Sequence, residues 1–137
     1  MTLRPGDYLL DTSVLIRLQD ESEFYRKINP QSRIYVPVIA MGERYYGAFD
    51  SSRRDENLAK VEMLFELNVV YLTRETPEHY GRIKAELKKA GKPIPENDLW
   101  IAAIAMENDF TVVSFDAHFL NVERLVPSFK LELLTAD

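Results

Sequence analysis

The stretch "YLLDTSVLIRL", Tyr8 to Leu18, decides how the rest of the chain is read. An apolar segment ends on Asp11, two hydroxyl residues follow, and the apolar character resumes. The first part reads as a short buried strand over 7–10. "SVLIRLQ" then opens a helix, with Thr12 or Ser13 placed to cap its free N–H groups. A carboxylate at the rim of a core is costly unless something pairs with it. Asp11 therefore needs a partner from elsewhere in the chain.

Outward from that unit, strands and helices alternate. "SEFYRKIN" is a second short helix closed by Asn29-Pro30, and "RIYVPV" is a strand from Arg33 to Val36 with Pro37 at its end. "VIAMGERYYGAF" is a helix, because Ile39, Glu43 and Tyr46 recur on one face. "DSSRRDENLAKVEMLFEL" has serine caps followed by Leu58, Val61, Leu64 and Phe65 at helical spacing, and "NVVYL" is a third strand. "TPEHYGRIKAELKKAGKP" is a helix capped by Thr76, with Pro77 in its first turn and Gly91 and Pro93 at its end. "NDLWIAAIAMEND" is apolar nearly all round and belongs inside. "FTVVS" is a β-branched strand of the buried parallel type, and "FKLELL" is a last strand. This order predicts an α/β fold with a central parallel sheet covered on both faces.

The bulk numbers bound the rest. A length of 137 residues suits one domain with a real core, and there is no repeat, low-complexity tract or linker to divide it. No apolar run approaches the roughly 20 residues that span a bilayer, and "MTLRPGDYLL" has no long apolar secretory segment. The absence of cysteine excludes disulfides and thiolate metal sites, and the simple reading is a cytoplasmic protein. A formal net charge of −5 argues against a broad basic surface for nucleic acid, but not against a local acidic cluster neutralised by metal.

Four acids stand where such a fold converges side chains. Ligands of open α/β sheets bind beyond the carboxyl ends of the strands, where the strand order reverses. Asp11 ends the first strand, and Asp116 in "VVSFDAHF" lies just past the fourth. Asp98 in "PENDLWIAAIAM" occupies the first turn of the apolar helix, and Glu43 shares a face with Ile39 and Tyr46. Each has an ordinary explanation: a helix cap for Asp11, the helix dipole for Asp98, an Asx turn for Asp116 and an edge-of-face position for Glu43. Together they point to one pocket. Two unit charges 4 Å apart repel by about 4 kcal/mol at an effective dielectric of 20. Either protons or cations must resolve that, and an all-oxygen cluster suits Mg²⁺ or Mn²⁺.

The ordered set "LLDTSVLI", "VPVIAMGERYYGA" and "IPENDLWIAAIAMENDFTVVSFDAHF" resembles the motifs of PIN-domain ribonucleases, and more narrowly those of VapC toxins of prokaryotic toxin–antitoxin systems. The resemblance runs from Tyr8 to about Leu134. It implies a single PIN domain over 1–137, a three-layer α/β/α fold and a parallel sheet of about five strands in the order 3-2-1-4-5. It also implies a metal-dependent endoribonuclease, with Asp11, Glu43, Asp98 and Asp116 as the acidic quartet that holds Mg²⁺ or Mn²⁺ and carries the catalysis. Ser13 would be the hydroxyl near Asp11, and Ser114 stands where the family commonly has threonine. An RNA substrate, a VapB-type antitoxin and a homodimer follow as partners.

Substrate grip is expected from Ser13, Ser114 and the basic run Arg82, Lys84, Lys88, Lys89 and Lys92, with Arg53–Arg54 as a further pair. Solvated helix faces carry similar runs. His79 reads as a first-turn helix residue and His118 as a spacer in "DAHF", so neither is taken as a catalyst. Trp100 and the tyrosines read as packing, with Tyr45 and Tyr46 near Glu43 set apart. Leu15, Leu18, Phe24 and Tyr25 are candidates for antitoxin contact, and core packing explains each equally.

Two other readings remain. A phosphoacceptor receiver domain also clusters aspartates at strand ends, but it needs an acidic pair after the first strand and a lysine at the end of the last. Here Thr12 and Ser13 follow Asp11, and Lys130 opens its strand. A PIN fold kept as an inactive interaction module is the other; the presence of all four acids weighs against it.

Overall fold

The computed structural model describes residues 5–20 and 31–135, with the backbone alone over 18–20. Its strands are β1 (Asp7–Leu10), β2 (Arg33–Pro37), β3 (Asn68–Val70), β4 (Thr111–Ser114) and β5 (Lys130–Leu133). They form one five-stranded parallel sheet in the order β3-β2-β1-β4-β5. The helices are α1 (Thr12–Asp20), α2 (Val38–Phe49), α3 (Arg54–Met63), α4 (Thr76–Lys89), α5 (Glu96–Asn108) and α6 (Phe119–Leu125). A 3₁₀ turn, Leu64–Glu66, follows α3. No described helix is long and apolar enough to cross a membrane.

Period-2 alternation along the central strands divides the core in two. Leu9 and Val112 pack with Ile83, Leu87, Leu99, Ile101 and Phe119 from α4, α5 and α6. Leu10 and Val113 point the other way, against Val14 and Leu15 of α1, Ala40 and Met41 of α2, and Val61 of α3. This is the three-layer arrangement that the alternation predicts. α5 buries six residues, Leu99 and Ile101 to Ala105, which explains its nearly continuous apolar sequence.

Some local expectations need correction. α6 lies between β4 and β5, where the sequence reading passes from strand to strand; it is a short helix with Phe119 and Val122 buried. Thr76 does not cap α4: it is the first helical residue and is fully buried. Its hydroxyl accepts the Thr73 N–H (2.9 Å) and donates to Glu107 (2.6 Å), fastening the loop after β3 to the end of α5. Neither Thr12 nor Ser13 caps α1, a role that falls to Asp11. Gly91 ends α4 as expected, at φ 68°. The Lys92 N–H meets the Leu87 carbonyl (2.9 Å) and the Gly91 N–H meets that of Lys88 (3.0 Å), a Schellman pair. Leu15 is fully buried and so is core rather than a contact surface. The expected helix "SEFYRKIN", with Phe24, Tyr25 and the side chain of Leu18, lies outside the described residues.

The topology sets up the crevice. β1 pairs with β2 on one side and β4 on the other, so the chain leaves β1 in one direction and returns to its opposite flank. The carboxyl ends of β1 and β4 open on the switch point of the sheet, with Leu10 opposite Val113.

Candidate active site

Asp11 follows the last residue of β1, and its N–H still bonds the Val113 carbonyl (3.2 Å). Its Oδ1 accepts the Ser13 hydroxyl (2.6 Å) and the Val14 N–H (3.2 Å), which caps α1. Its Oδ2 accepts the Ser114 hydroxyl at 2.5 Å. With 3% of its surface exposed, Asp11 has its carboxyl pushed up foremost by burial, and the nearby Asp116 charge adds to this. The two hydroxyls and the amide oppose the rise by stabilising the anion.

The same serines build the loop after β4. Ser114 is fully buried, and its oxygen accepts the Asp116 N–H (2.8 Å) while its proton goes to Asp11. The Ser13 oxygen accepts the Phe115 N–H (3.1 Å). Both hydroxyl protons are thus committed to Asp11. In this structure Ser13 and Ser114 join the ends of β1 and β4, and Ser114 holds the Asp116 amide. Asp116 in turn accepts the His118 N–H through Oδ1 (2.9 Å), an Asx turn.

Asp98 reaches the crevice from the first turn of α5, where the helix dipole favours an anion. Its side chain is 15% exposed, and its carboxyl rises from 3.8 to about 6. Burial is the largest cause, followed by the Asp116 charge, with Asp11 contributing; contact with His118 works the other way. Glu43 comes from α2, and its Oε1 accepts the Thr12 hydroxyl (2.7 Å), one residue from Asp11. Asp11, Asp98 and Asp116 therefore share one electrostatic neighbourhood, and Glu43 is tied to its edge through Thr12.

His118 belongs to this cluster, contrary to its reading as a spacer. Its Nδ1 lies 2.9 Å from Asp116 Oδ1 and 3.3 Å from Asp98 Oδ2. A signal for it exists in "DAHF": an Asx turn at Asp116 swings the residue two positions on back toward the acid. Arg17 also stands near the site. It lies one turn beyond Ser13 on α1, with its guanidinium 4.1 Å from the centre of the Phe115 ring, so a cation stands beside the loop that carries Asp116.

The expected basic grip is largely engaged within the fold. Arg82 pairs with Glu78 (2.7 Å), Lys84 with Glu96 (2.7 Å) and Lys89 with Glu86 (3.8 Å). Arg54 donates to the Phe49 carbonyl at the end of α2, and Arg53 approaches Glu56 (4.0 Å). Thr76 meets Glu107 and Lys84 meets Glu96, so α4 runs antiparallel to α5. The exposed Lys88 and Lys92 consequently emerge at the Asp98 end. Tyr45 donates to Glu62 (2.6 Å), and Trp100 stacks on Tyr80, both as packing. Tyr46 is exposed. His79 lies on α4 beside Arg82, along a cleft separate from the acids.

The donor set suits a hard divalent cation: crowded carboxylates, one protonated well above its ordinary range, carry more negative charge than the crevice holds comfortably. Comparison with known proteins places the chain in a nuclease family. The sequence pattern of the PIN domain matches residues 8–125. Ribonuclease VapC1 of Haemophilus influenzae (strain R2866) is 33% identical over 113 residues, covering 78% of this chain and 84% of the relative. The tRNA(fMet)-specific endonuclease VapC of Salmonella typhimurium is 32% identical over 112 residues, with the same coverage of 78% and 84%. Among solved structures, VapBC-1 from nontypeable Haemophilus influenzae superposes with a TM-score of 0.76 at 28% identity, covering 93% of this chain and 97% of that one. The chain belongs to the PIN-domain family, in its VapC ribonuclease branch.

Proposed function

We propose that this protein is a divalent-metal-dependent endoribonuclease and the toxin of a VapBC-type pair. The observation that carries the reading is the meeting of Asp11, Asp98 and Asp116 at the ends of β1 and β4, with the Asp98 carboxyl pushed up to about 6 by burial and by its neighbours. That convergence leaves a site that a cation stabilises.

Asp98 and Asp116 are the direct ligands in this reading, and Asp11, gripped by two serines, is a ligand through its anionic charge or through water. A bound Mg²⁺ or Mn²⁺ supplies polarisation of a phosphoryl oxygen and lowers the pKa of a bound water. Glu43, oriented by the Thr12 hydroxyl on Oε1, accepts the attacking water's proton. Arg17 on its Phe115 platform, with Lys88 at the same end, meets the RNA phosphates.

RNA is the substrate class, and the tRNA(fMet) specificity named for the Salmonella relative makes transfer RNA the first substrate to try. The VapBC neighbour supports a VapB-type antitoxin as partner. We further infer one PIN domain over 1–137, acting as a homodimer in the cytoplasm. The test is cleavage of transfer, ribosomal and messenger RNA with and without Mg²⁺ or Mn²⁺. Cleavage should require the ion, and Asp98→Asn should lose at least about a hundredfold, the scale for removing one electrostatic stabiliser. Metal-independent cleavage, or an unimpaired variant, overturns the mechanism. Absence of cleavage of every RNA favours the inactive interaction module.

A further inference from the structure

We infer that His118 is a nitrogen ligand of the divalent cation held by Asp98 and Asp116, and that it biases the site toward Mn²⁺ over Mg²⁺. The inference rests on the carboxylate-bound cation proposed above and adds to it which ion the site selects.

One potential donor atom from each of Asp98, Asp116 and His118 lies within 4.8 Å of the other two. The imidazole Nδ1 lies 2.9 Å from Asp116 Oδ1 and 3.3 Å from Asp98 Oδ2. Metal–ligand bonds of about 2.1 Å place neighbouring donors of a six-coordinate ion about 3.0 Å apart. The ring nitrogen already stands near that spacing from both carboxylates, so an entering cation needs little movement of the imidazole.

The backbone holds this geometry in place. The Ser114 oxygen fixes the Asp116 amide, Asp116 accepts the His118 N–H, and α6 begins at the next residue, Phe119, which is fully buried. The imidazole is tethered between two anchored positions, yet its side chain is half exposed. Coordination through Nδ1 would leave the Nε2 edge to face solvent or a phosphate oxygen.

The selectivity follows from donor chemistry. Mg²⁺ is hard, keeps its waters and gains little from imidazole, whereas first-row transition ions accept nitrogen readily. An all-carboxylate site discriminates weakly between Mg²⁺ and Mn²⁺; one nitrogen donor tilts it toward Mn²⁺.

The test is spectroscopic and needs no turnover. The full chain is titrated with Mn²⁺ at pH 8, free ion is followed by electron paramagnetic resonance, and ¹⁴N modulation of the bound ion is recorded by electron spin echo. Wild type should show ¹⁴N modulation that is lost in His118→Ala and retained in His79→Ala. Removing a group built into a metal site weakens binding on the order of ten- to a hundredfold. His118→Ala should therefore lose about tenfold in Mn²⁺ affinity, with Mg²⁺ affinity, read by competition, within about twofold of wild type. Far-ultraviolet circular dichroism confirms that the variants are folded. Mn²⁺ bound without ¹⁴N modulation in wild type, and lost in Asp98→Asn, overturns the role of His118 while the carboxylate site stands. Mn²⁺ binding unaffected by Asp98→Asn overturns the carboxylate site itself.

Discussion

Asp98→Asn should make the metal-free protein more stable at neutral pH while removing its response to metal. The carboxyl is raised from 3.8 to about 6 in the folded protein, so the folded state binds more protons than the unfolded state between those values. Stability contributed by this group therefore falls as pH rises through that window, and the full cost applies above pH 6. A displacement of roughly two pH units corresponds to about 3 kcal/mol. Water at the mouth of the crevice screens the charges, so about 1 to 1.5 kcal/mol is the realistic share. Asparagine keeps the shape of the side chain and still reaches the His118 ring. In EDTA at pH 7.5 the variant should melt about 3 to 5 °C above wild type, and the gap should close as pH falls toward 4. With Mn²⁺ at a hundred times its dissociation constant, wild type should gain about 2.7 kcal/mol and overtake the variant. A variant less stable than wild type in EDTA at pH 7.5, or a benefit that does not change with pH, would show that the Asp98 charge does not destabilise the metal-free crevice.

Ser114→Ala removes a buried hydroxyl that donates to Asp11 and accepts from Asp116. Leaving those groups unpaired should cost about 1–3 kcal/mol in urea unfolding; a change below about 0.5 kcal/mol would mean that the hydroxyl does not join the two strand ends. Gly91→Ala places a side chain at φ 68°, where an added Cβ meets nothing within 4 Å, so the penalty is backbone strain alone. It should lower the melting temperature by about 3 to 7 °C without changing metal affinity. Asp11→Ala is a poor probe of catalysis, because it also removes the cap of α1; about 0.5–2 kcal/mol should be lost with it.

Much of the fold is legible in the sequence because its strongest signals are local. "YLL" before Asp11 and "TVVS" are short buried strands, and the apolar helix from Glu96 to Asn108 has no polar face to misplace. The switch-point rule then brings Asp11 and Asp116 to one crevice. Other features depend on tertiary partners that leave no local trace. Thr76 sits where a cap belongs, yet its hydroxyl answers to Glu107, thirty-one positions away. The Ser13 and Ser114 protons turn inward only because the ends of β1 and β4 meet. α6 is short, with Phe119 and Val122 as its only buried residues, too few for a periodic pattern to emerge. The basic run on α4 reads as a phosphate-binding face, but Glu78, Glu86 and Glu96 occupy three of its cations. The pairing of Arg82 with Glu78 could have been foreseen from its i,i+4 spacing.

The pocket formed by Asp11, Asp98 and Asp116 is most directly tested by a crystal structure of the protein soaked in Mn²⁺, with diffraction recorded at the manganese absorption edge. An anomalous peak is expected in the crevice beyond the ends of β1 and β4, within ligand distance of Asp98 and Asp116. A crevice without a peak at saturating Mn²⁺, or a peak bound by other residues, would mean that these carboxylates hold no metal.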